Sequence, residues 1–152
     1  MNKKRSVVST VILLIAVVAL WWITGGGGPT DGAPSIDKGG TYTTKDDVAA
    51  YLHAYGELPP NFITKARARA LGWEGGSLQD MAPNKAIGGD KFGNFEGLLP
   101  EKAGRVYYEC DIDTLKASSR GAKRIVFSND GLIYYTDDHY ESFTLLYGEE
   151  KP

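Results

Sequence analysis

The sequence contains a single cysteine, Cys110, in 152 residues. One cysteine cannot form an intramolecular disulfide, so the folded part of the chain must be held together by a hydrophobic core. Histidine is almost as scarce, with only His53 and His139. Because no cysteine or histidine has a partner at a spacing typical of a metal site, we predict no metal and no other cofactor.

The sequence also lacks an excess of positive charge. It has 17 lysines and arginines against 19 acidic residues. Lys3, Lys4 and Arg5 lie at the N-terminus, which leaves 14 basic and 18 acidic residues from Asp37 onward. This balance argues against a protein that coats nucleic acid through bulk positive charge. Any site for a phosphate must therefore be a local cluster of cations.

An apolar run, residues 7–23, follows the three basic residues and ends near the Trp21-Trp22 pair. Its length is near the lower limit for crossing a bilayer, and tryptophans are common at the membrane interface. We predict that residues 1–24 are either a signal-anchor or a cleaved signal peptide. The rest of the chain would then be extracellular, either secreted or anchored to the membrane with the folded domain outside.

Residues 25–40 are rich in glycine and proline, which predicts a flexible tether, and residues 41–152 form one domain. Thr44 and Gly56 are typical start and stop signals for a helix over residues 45–55. Thr64 and Gly72 bracket a second, short helix, and a third is predicted from 77 to 81. Lys65 lies in the first turn of the second helix, an unfavourable place for a cation, which suggests a function.

Residues 84–104 are rich in glycine, which predicts turns and bulges and no long strand. In residues 105–112, polar and apolar side chains alternate as in a strand, with Cys110 on the apolar side and therefore buried. Asp130-Gly131 separates two apolar, β-branched segments, a pattern that favours a hairpin turn. A last strand is predicted over residues 141–146.

Five side chains could act together on a phosphate, two by transferring protons and three by stabilising its negative charge. A carboxylate (Glu109) and an imidazole (His139) supply a general base and a general acid near neutral pH. Lys65, Arg120 and Arg124 could stabilise a phosphoryl group that gains charge. This set suits metal-free cleavage of RNA, in which the 2′-hydroxyl is the nucleophile. The charges on the strand around Glu109 could equally be a salt-bridged face of a sheet.

From about Tyr42 to Tyr147, the chain closely resembles the barnase-like, guanyl-preferring microbial ribonucleases. The matching motifs include Ile63-Thr64-Lys65, Ala70-Leu71-Gly72-Trp73, Ile87-Gly88-Gly89-Asp90, Glu96-Gly97, Leu132-Ile133-Tyr134 and Asp138-His139-Tyr140. The resemblance implies an α+β fold, in which N-terminal helices pack on one face of a twisted antiparallel β-sheet. It also implies cleavage of single-stranded RNA after guanosine to a 2′,3′-cyclic phosphate.

The resemblance assigns roles residue by residue. Glu109 would be the base and His139 the acid, while Lys65, Arg120 and Arg124 would bind the phosphate. Asp111 would orient the arginines and Asp90 would order the neighbouring loop. Guanine would be bound by Glu96 and by backbone amides of Gly93, Asn94 and Phe95, with Phe92 and Tyr140 packed nearby.

Two residues depart from the family pattern. Gly93 stands where serine is found, and Phe95 where arginine is usual. The loss of a cation at residue 95 affects both the base site and the surface that an intracellular inhibitor similar to barstar would bind. An alternative interpretation is therefore a catalytically weak, membrane-tethered RNA-binding module on the same fold. In either case we expect a monomer.

Overall fold

The computed structural model describes residues 35–150 of the chain. The predicted signal segment and most of the predicted tether lie outside these residues. Within them, no helix combines the length and the apolar character needed to cross a membrane. The elements are α1 (Lys45–Tyr55), β1 (Phe62–Ile63), α2 (Lys65–Ala70), β2 (Ala86–Phe92), β3 (Tyr107–Asp111), β4 (Arg124–Ser128), β5 (Ile133–Thr136) and β6 (Thr144–Tyr147).

The six strands form one sheet in the order β1 to β6. Every neighbouring pair from β2 to β6 is antiparallel, and the two-residue β1 runs parallel to β2. Helices that precede an antiparallel sheet confirm the predicted α+β class. The parallel pair at the edge was not predicted.

The first helix has the predicted boundaries. The Thr44 side chain accepts a hydrogen bond from the Asp47 amide, and Gly56 ends the helix at φ 69° with its N–H on the Leu52 carbonyl. A left-handed residue after the last turn favours glycine, as the sequence indicated. The buried face of α1, which includes Val48 and Leu52, joins a core with Cys110, Ile112, Ile125 and Ile133.

Alternation along the strands places a second core on the other face of the sheet. It contains Tyr107, Val126 and Tyr134 from three adjacent strands, with Leu99 and Leu132 beside them. Cys110 lies on the α1 face and is only 1% exposed, as predicted. Burial raises the pKa of its thiol. Glu109 and Asp111, on the opposite side of β3 from Cys110, are left to build a polar site.

The last strand, predicted over residues 141–146, begins three residues later, at Thr144. Two predicted elements were wrong. Residues 77–81 form a turn in which the Met81 and Ala82 amides bond the Leu78 carbonyl, and Pro83 cannot extend it as a helix. The glycine-rich segment contains a seven-residue strand, β2, which was not predicted, although its register with β3 shifts between Gly88 and Asp90, in keeping with the predicted bulges. Glycine is required within that strand because a Cβ on Gly88 would lie 2.7 Å from the Cys110 Cβ.

Candidate active site

Glu109 on β3 is the centre of a three-residue contact. Its Oε1 lies 2.9 Å from the Lys65 ammonium, and its Oε2 accepts a hydrogen bond of 2.5 Å from the Tyr140 hydroxyl. The Glu109 side chain is 12% exposed. Burial, and then the Glu109 carboxylate, raise the pKa of Tyr140, so this phenol stays protonated and keeps donating to Glu109. The contact joins α2, β3 and the loop after β5.

The position of Lys65 at the start of α2 has a structural explanation. Thr64 caps the helix, and an Asp90 oxygen accepts a hydrogen bond of 2.9 Å from the Lys65 backbone N–H. A carboxylate at a helix N-terminus is favourable and offsets the unfavourable cation in the first turn. Asp90 therefore holds the backbone of Lys65 while the ammonium reaches Glu109.

Asp111, two residues further along β3, binds both predicted arginines. Arg120 donates to its two oxygens at 2.8 and 2.9 Å, and the Arg124 Nε lies 3.1 Å from Oδ1. Asp111 and Arg124 are both buried, so their contact is shielded from water, while the Arg120 side chain is 23% exposed. The hydrogen bond with Asp111 raises the pKa of Arg120. Arg124 is held further by its Nη1, which donates to the carbonyls of Arg120 and Lys123.

The sequence indicated a mixed-charge cluster of Glu109, Asp111 and the two arginines. The structure divides it: Asp111 takes both arginines, and Glu109 takes Lys65 instead. Because Glu109 and Asp111 lie two residues apart on one strand, their side chains point to the same face of the sheet. Two carboxylates on one short stretch of β3 thus gather three cations from other parts of the chain.

His139 and Tyr140 are held in an unusual backbone conformation, with φ 55° and 73°. Such values are uncommon for residues other than glycine, and strained residues often occur at functional sites. The His139 amide bonds the Ala122 carbonyl at 3.2 Å, and the Tyr140 amide bonds the Thr136 hydroxyl at 3.1 Å. The two rings lie 4.9 Å apart. Tyr140 therefore links the exposed imidazole to Glu109.

A cleft of about 490 Å³ begins at this pair of rings. Phe92 forms part of its wall and packs against Tyr140 at 5.2 Å. The predicted base-binding residues and the predicted acid share this cleft, whose lining is Lys91, Phe92, Gly93, Asn94, Phe95, Glu96, Leu98, His139, Tyr140, Glu141 and Phe143. The structure thus brings together two groups of residues that are far apart in the sequence.

Asn94 differs from its neighbours because its side chain is hydrogen-bonded to the backbone of its own loop. Its amide nitrogen donates to the Leu99 carbonyl at 2.9 Å, and its oxygen accepts from the Leu99 amide at 3.1 Å. Asn94 is 7% exposed and has φ 49°. Its side chain shapes the loop, which leaves the backbone of residues 93–95 and the exposed Glu96 carboxylate for a ligand.

Phe95 is 99% exposed, although it lies beside the cleft. Its ring lies over Gly93, where an added Cβ would collide with it. The φ of Gly93 is not in the left-handed region, so the backbone does not require glycine there, and the exposed Phe95 ring would have to move to admit a larger residue. The two departures from the family pattern therefore form one structural unit.

Sequence reasoning missed the surroundings of these residues. The guanidinium of Arg120 lies 5.7 Å from the centroid of the Trp73 ring, and that of Arg69 lies 5.9 Å from it. Phe143, predicted only as a strand residue, lines the cleft and meets Phe92 edge to face at 6.0 Å. No local pattern signals such contacts, because the partners are distant in the sequence.

Comparison with known proteins shows that this chain is similar to ribonucleases. The family model described as ribonuclease matches residues 45–147. A ribonuclease of Bacillus intermedius is 52% identical over 105 residues, which are 68% of this chain and 64% of the relative. A ribonuclease of Heyndrickxia coagulans is 51% identical over 68% of this chain and 95% of its own. Guanyl-specific ribonuclease St of Saccharopolyspora erythraea is 46% identical over 57 residues, which are 38% of this chain and 56% of that protein. The chain thus spans less than two thirds of the length of the Bacillus intermedius relative.

Proposed function

Since the chain belongs to the ribonuclease family, we propose that it is an endoribonuclease that cleaves single-stranded RNA by general acid–base transesterification, with a preference for guanosine. The observation that carries the proposal is the position of Glu109. Its carboxylate contacts the Lys65 ammonium and the Tyr140 hydroxyl, and the Tyr140 ring lies against His139. Asp111, on the same face of β3, binds Arg120 and Arg124. A base, an acid and phosphate-binding cations are therefore available at one end of a cleft.

In the proposed reaction, Glu109 removes the proton of the 2′-hydroxyl, and the 2′-oxygen attacks the adjacent phosphorus. The bond from phosphorus to the 5′-oxygen breaks, and the protonated His139 imidazole donates a proton to that oxygen. The products are a 2′,3′-cyclic phosphate and a free 5′-hydroxyl. In a following hydrolysis the roles reverse, because His139 is then neutral and Glu109 is protonated.

Electrostatics supply the rest of the rate enhancement. Negative charge grows on the phosphoryl oxygens in the transition state, and pre-oriented cations stabilise it. Asp111 holds Arg120 and Arg124 rigid before substrate arrives, so little reorganisation is needed. A cation that pairs with Glu109 in the free protein can turn to the phosphate when Glu109 takes the proton, and Lys65 is in that position.

We assign guanine recognition to the cleft. The exposed Glu96 carboxylate can accept two hydrogen bonds from the guanine ring N–H and its amino group, while backbone amides of residues 93–95 donate to its carbonyl. Phe92 supplies an apolar wall beside the base. The guanyl-specific relative supports this assignment, although it is similar over a limited part of the chain.

We further propose that the enzyme acts outside the cell, either secreted or anchored through residues 1–24. The support is the pattern of basic residues followed by an apolar run in the sequence. An active ribonuclease made in the cytosol endangers the cell's own RNA, so an intracellular inhibitor similar to barstar is a reasonable partner.

The experiment is to incubate the full-length protein with the dinucleotides GpA, ApA, UpA and CpA in EDTA and to analyse the products. We expect rapid conversion of GpA to guanosine 2′,3′-cyclic phosphate and adenosine. Equal rates on all four would retain the reaction but contradict the guanine site. If a folded protein cleaved none of them, the proposal would fail and the RNA-binding module would become the better interpretation.

A further inference from the structure

Trp73 supports two arginines from different parts of the chain. Its ring is 6% exposed, and its Nε1 donates to the Gly76 carbonyl at 3.1 Å, so its orientation is fixed. The guanidinium carbons of Arg120 and Arg69 lie 5.7 and 5.9 Å from the ring centroid. Both distances are within the range of a cation–π interaction. One buried ring therefore carries both a cation of the proposed active site and a second cation, Arg69.

Arg69 is also a neighbour of Lys65 on α2. Residues four apart on a helix are offset by about 40° and about 6 Å, so they share a face. Lys65 contacts Glu109, and Arg120 contacts Asp111 on the same strand. Arg69 is thus connected to the proposed phosphate site on two sides, through the helix to Lys65 and through Trp73 to Arg120.

Arg69 has no carboxylate partner among the residues that the structure describes. Lys65 and Arg120 are paired with carboxylates, but among residues 35–150 no carboxylate lies within ion-pair distance of Arg69. Arg69 is exposed at the surface, while its guanidinium remains against the Trp73 ring. Its N–H donors can therefore reach an anion without breaking an existing ion pair.

We propose that Arg69, supported by Trp73, is a second phosphate site that binds a phosphate of the RNA strand next to the one being cleaved. This inference rests on the proposed ribonuclease function, because it extends that site along the strand. The planar guanidinium suits a phosphate, which it can bind through two parallel hydrogen bonds. The site makes the enzyme prefer longer RNA to a dinucleotide, which has no flanking phosphate.

The test compares Arg69→Gln with Arg67→Gln in the full-length protein. Arg67 is also an exposed arginine of the same helix. It lies about 200° from Lys65 around the helix axis and therefore serves as the matched control. The substrates are GpA and the tetranucleotide ApGpApA. We expect Arg69→Gln to leave kcat/KM for GpA unchanged and to lower it for the tetranucleotide by about tenfold. Arg67→Gln should change neither by more than twofold.

Salt dependence and binding give readouts that do not depend on cleavage. Each neutralised phosphate of a single strand contributes about 0.7 to the slope of log K against log salt. With a 2′-deoxy tetranucleotide, which cannot be cleaved, Arg69→Gln should reduce that slope by about 0.7 and Arg67→Gln should not. If wild type binds this strand but cleaves no RNA, the proposed function fails separately. Equal behaviour of the two variants, or an equal loss on GpA and the tetranucleotide, would overturn the second phosphate site.

Discussion

Replacement of Asp111 by asparagine tests the buried centre of the charge cluster. Asp111 is 2% exposed, and the Arg124 side chain paired with it is 4% exposed. Asparagine keeps the shape but removes the charge, so the buried Arg124 guanidinium and the partly exposed Arg120 guanidinium both lose their counter-ion. Breaking a buried pair from one side costs about 3–5 kcal/mol. A typical domain has about 5–15 kcal/mol of stability, so this loss is a large part of the total.

The assay is urea unfolding of the full-length protein followed by circular dichroism, with the free energy of unfolding taken from the linear dependence on urea. Asp113→Asn is the control. Asp113 pairs with Lys123 at 3.1 Å, but the two side chains are 43% and 50% exposed, so the expected loss is at most about 1 kcal/mol. If Asp111→Asn were no more destabilising than Asp113→Asn, the cluster would not have the buried, mutually dependent character described here.

Three further predictions use other residues. Glu109→Gln should lower the rate of RNA cleavage by about 10²–10⁴-fold without changing the circular dichroism spectrum, and full activity would contradict its role as the base. The Cys110 thiol should react with a disulfide reagent only after unfolding, since the residue is buried and its pKa is raised; prompt reaction in buffer would contradict this. Hydrogen bonds from Ser142, and then from Thr136, lower the pKa of Asp138 to about 2. The ionised carboxylate therefore stabilises the folded protein at pH values above the pKa that Asp138 has in the unfolded chain. This stabilisation is lost as the pH falls towards 2. Ser142→Ala should raise the pKa of Asp138 in an NMR titration, and an unchanged pKa would refute the cause given.

Local sequence signals predicted the elements that local interactions determine. The cap at Thr44 and the left-handed Gly56 set the ends of α1, and Gly131 at φ 99° supplies the hairpin turn. Alternation along β3 correctly placed Cys110 in the core. These features depend on neighbours a few residues away, so the sequence contains the necessary information.

Long-range contacts decided the rest. The glycines of β2 suggested turns. Residue 88 must instead be glycine because a larger side chain would collide with Cys110 and Phe62 on the two neighbouring strands. The pairing of Glu109 with Lys65 depends on how α2 packs against the sheet. The family resemblance identified the candidate residues, yet it could not show that the Trp73 ring joins Arg69 to Arg120.

The most direct test of the proposed mechanism uses two strands that differ by one oxygen atom. One is an RNA oligonucleotide with a single guanosine, and the other carries 2′-deoxyguanosine at that position. Because the 2′-oxygen is the proposed nucleophile, the full-length protein should cut the first strand after guanosine, leaving a 2′,3′-cyclic phosphate, and should leave the second intact there. Cleavage of both strands after that position at similar rates would contradict the transesterification mechanism centred on Glu109.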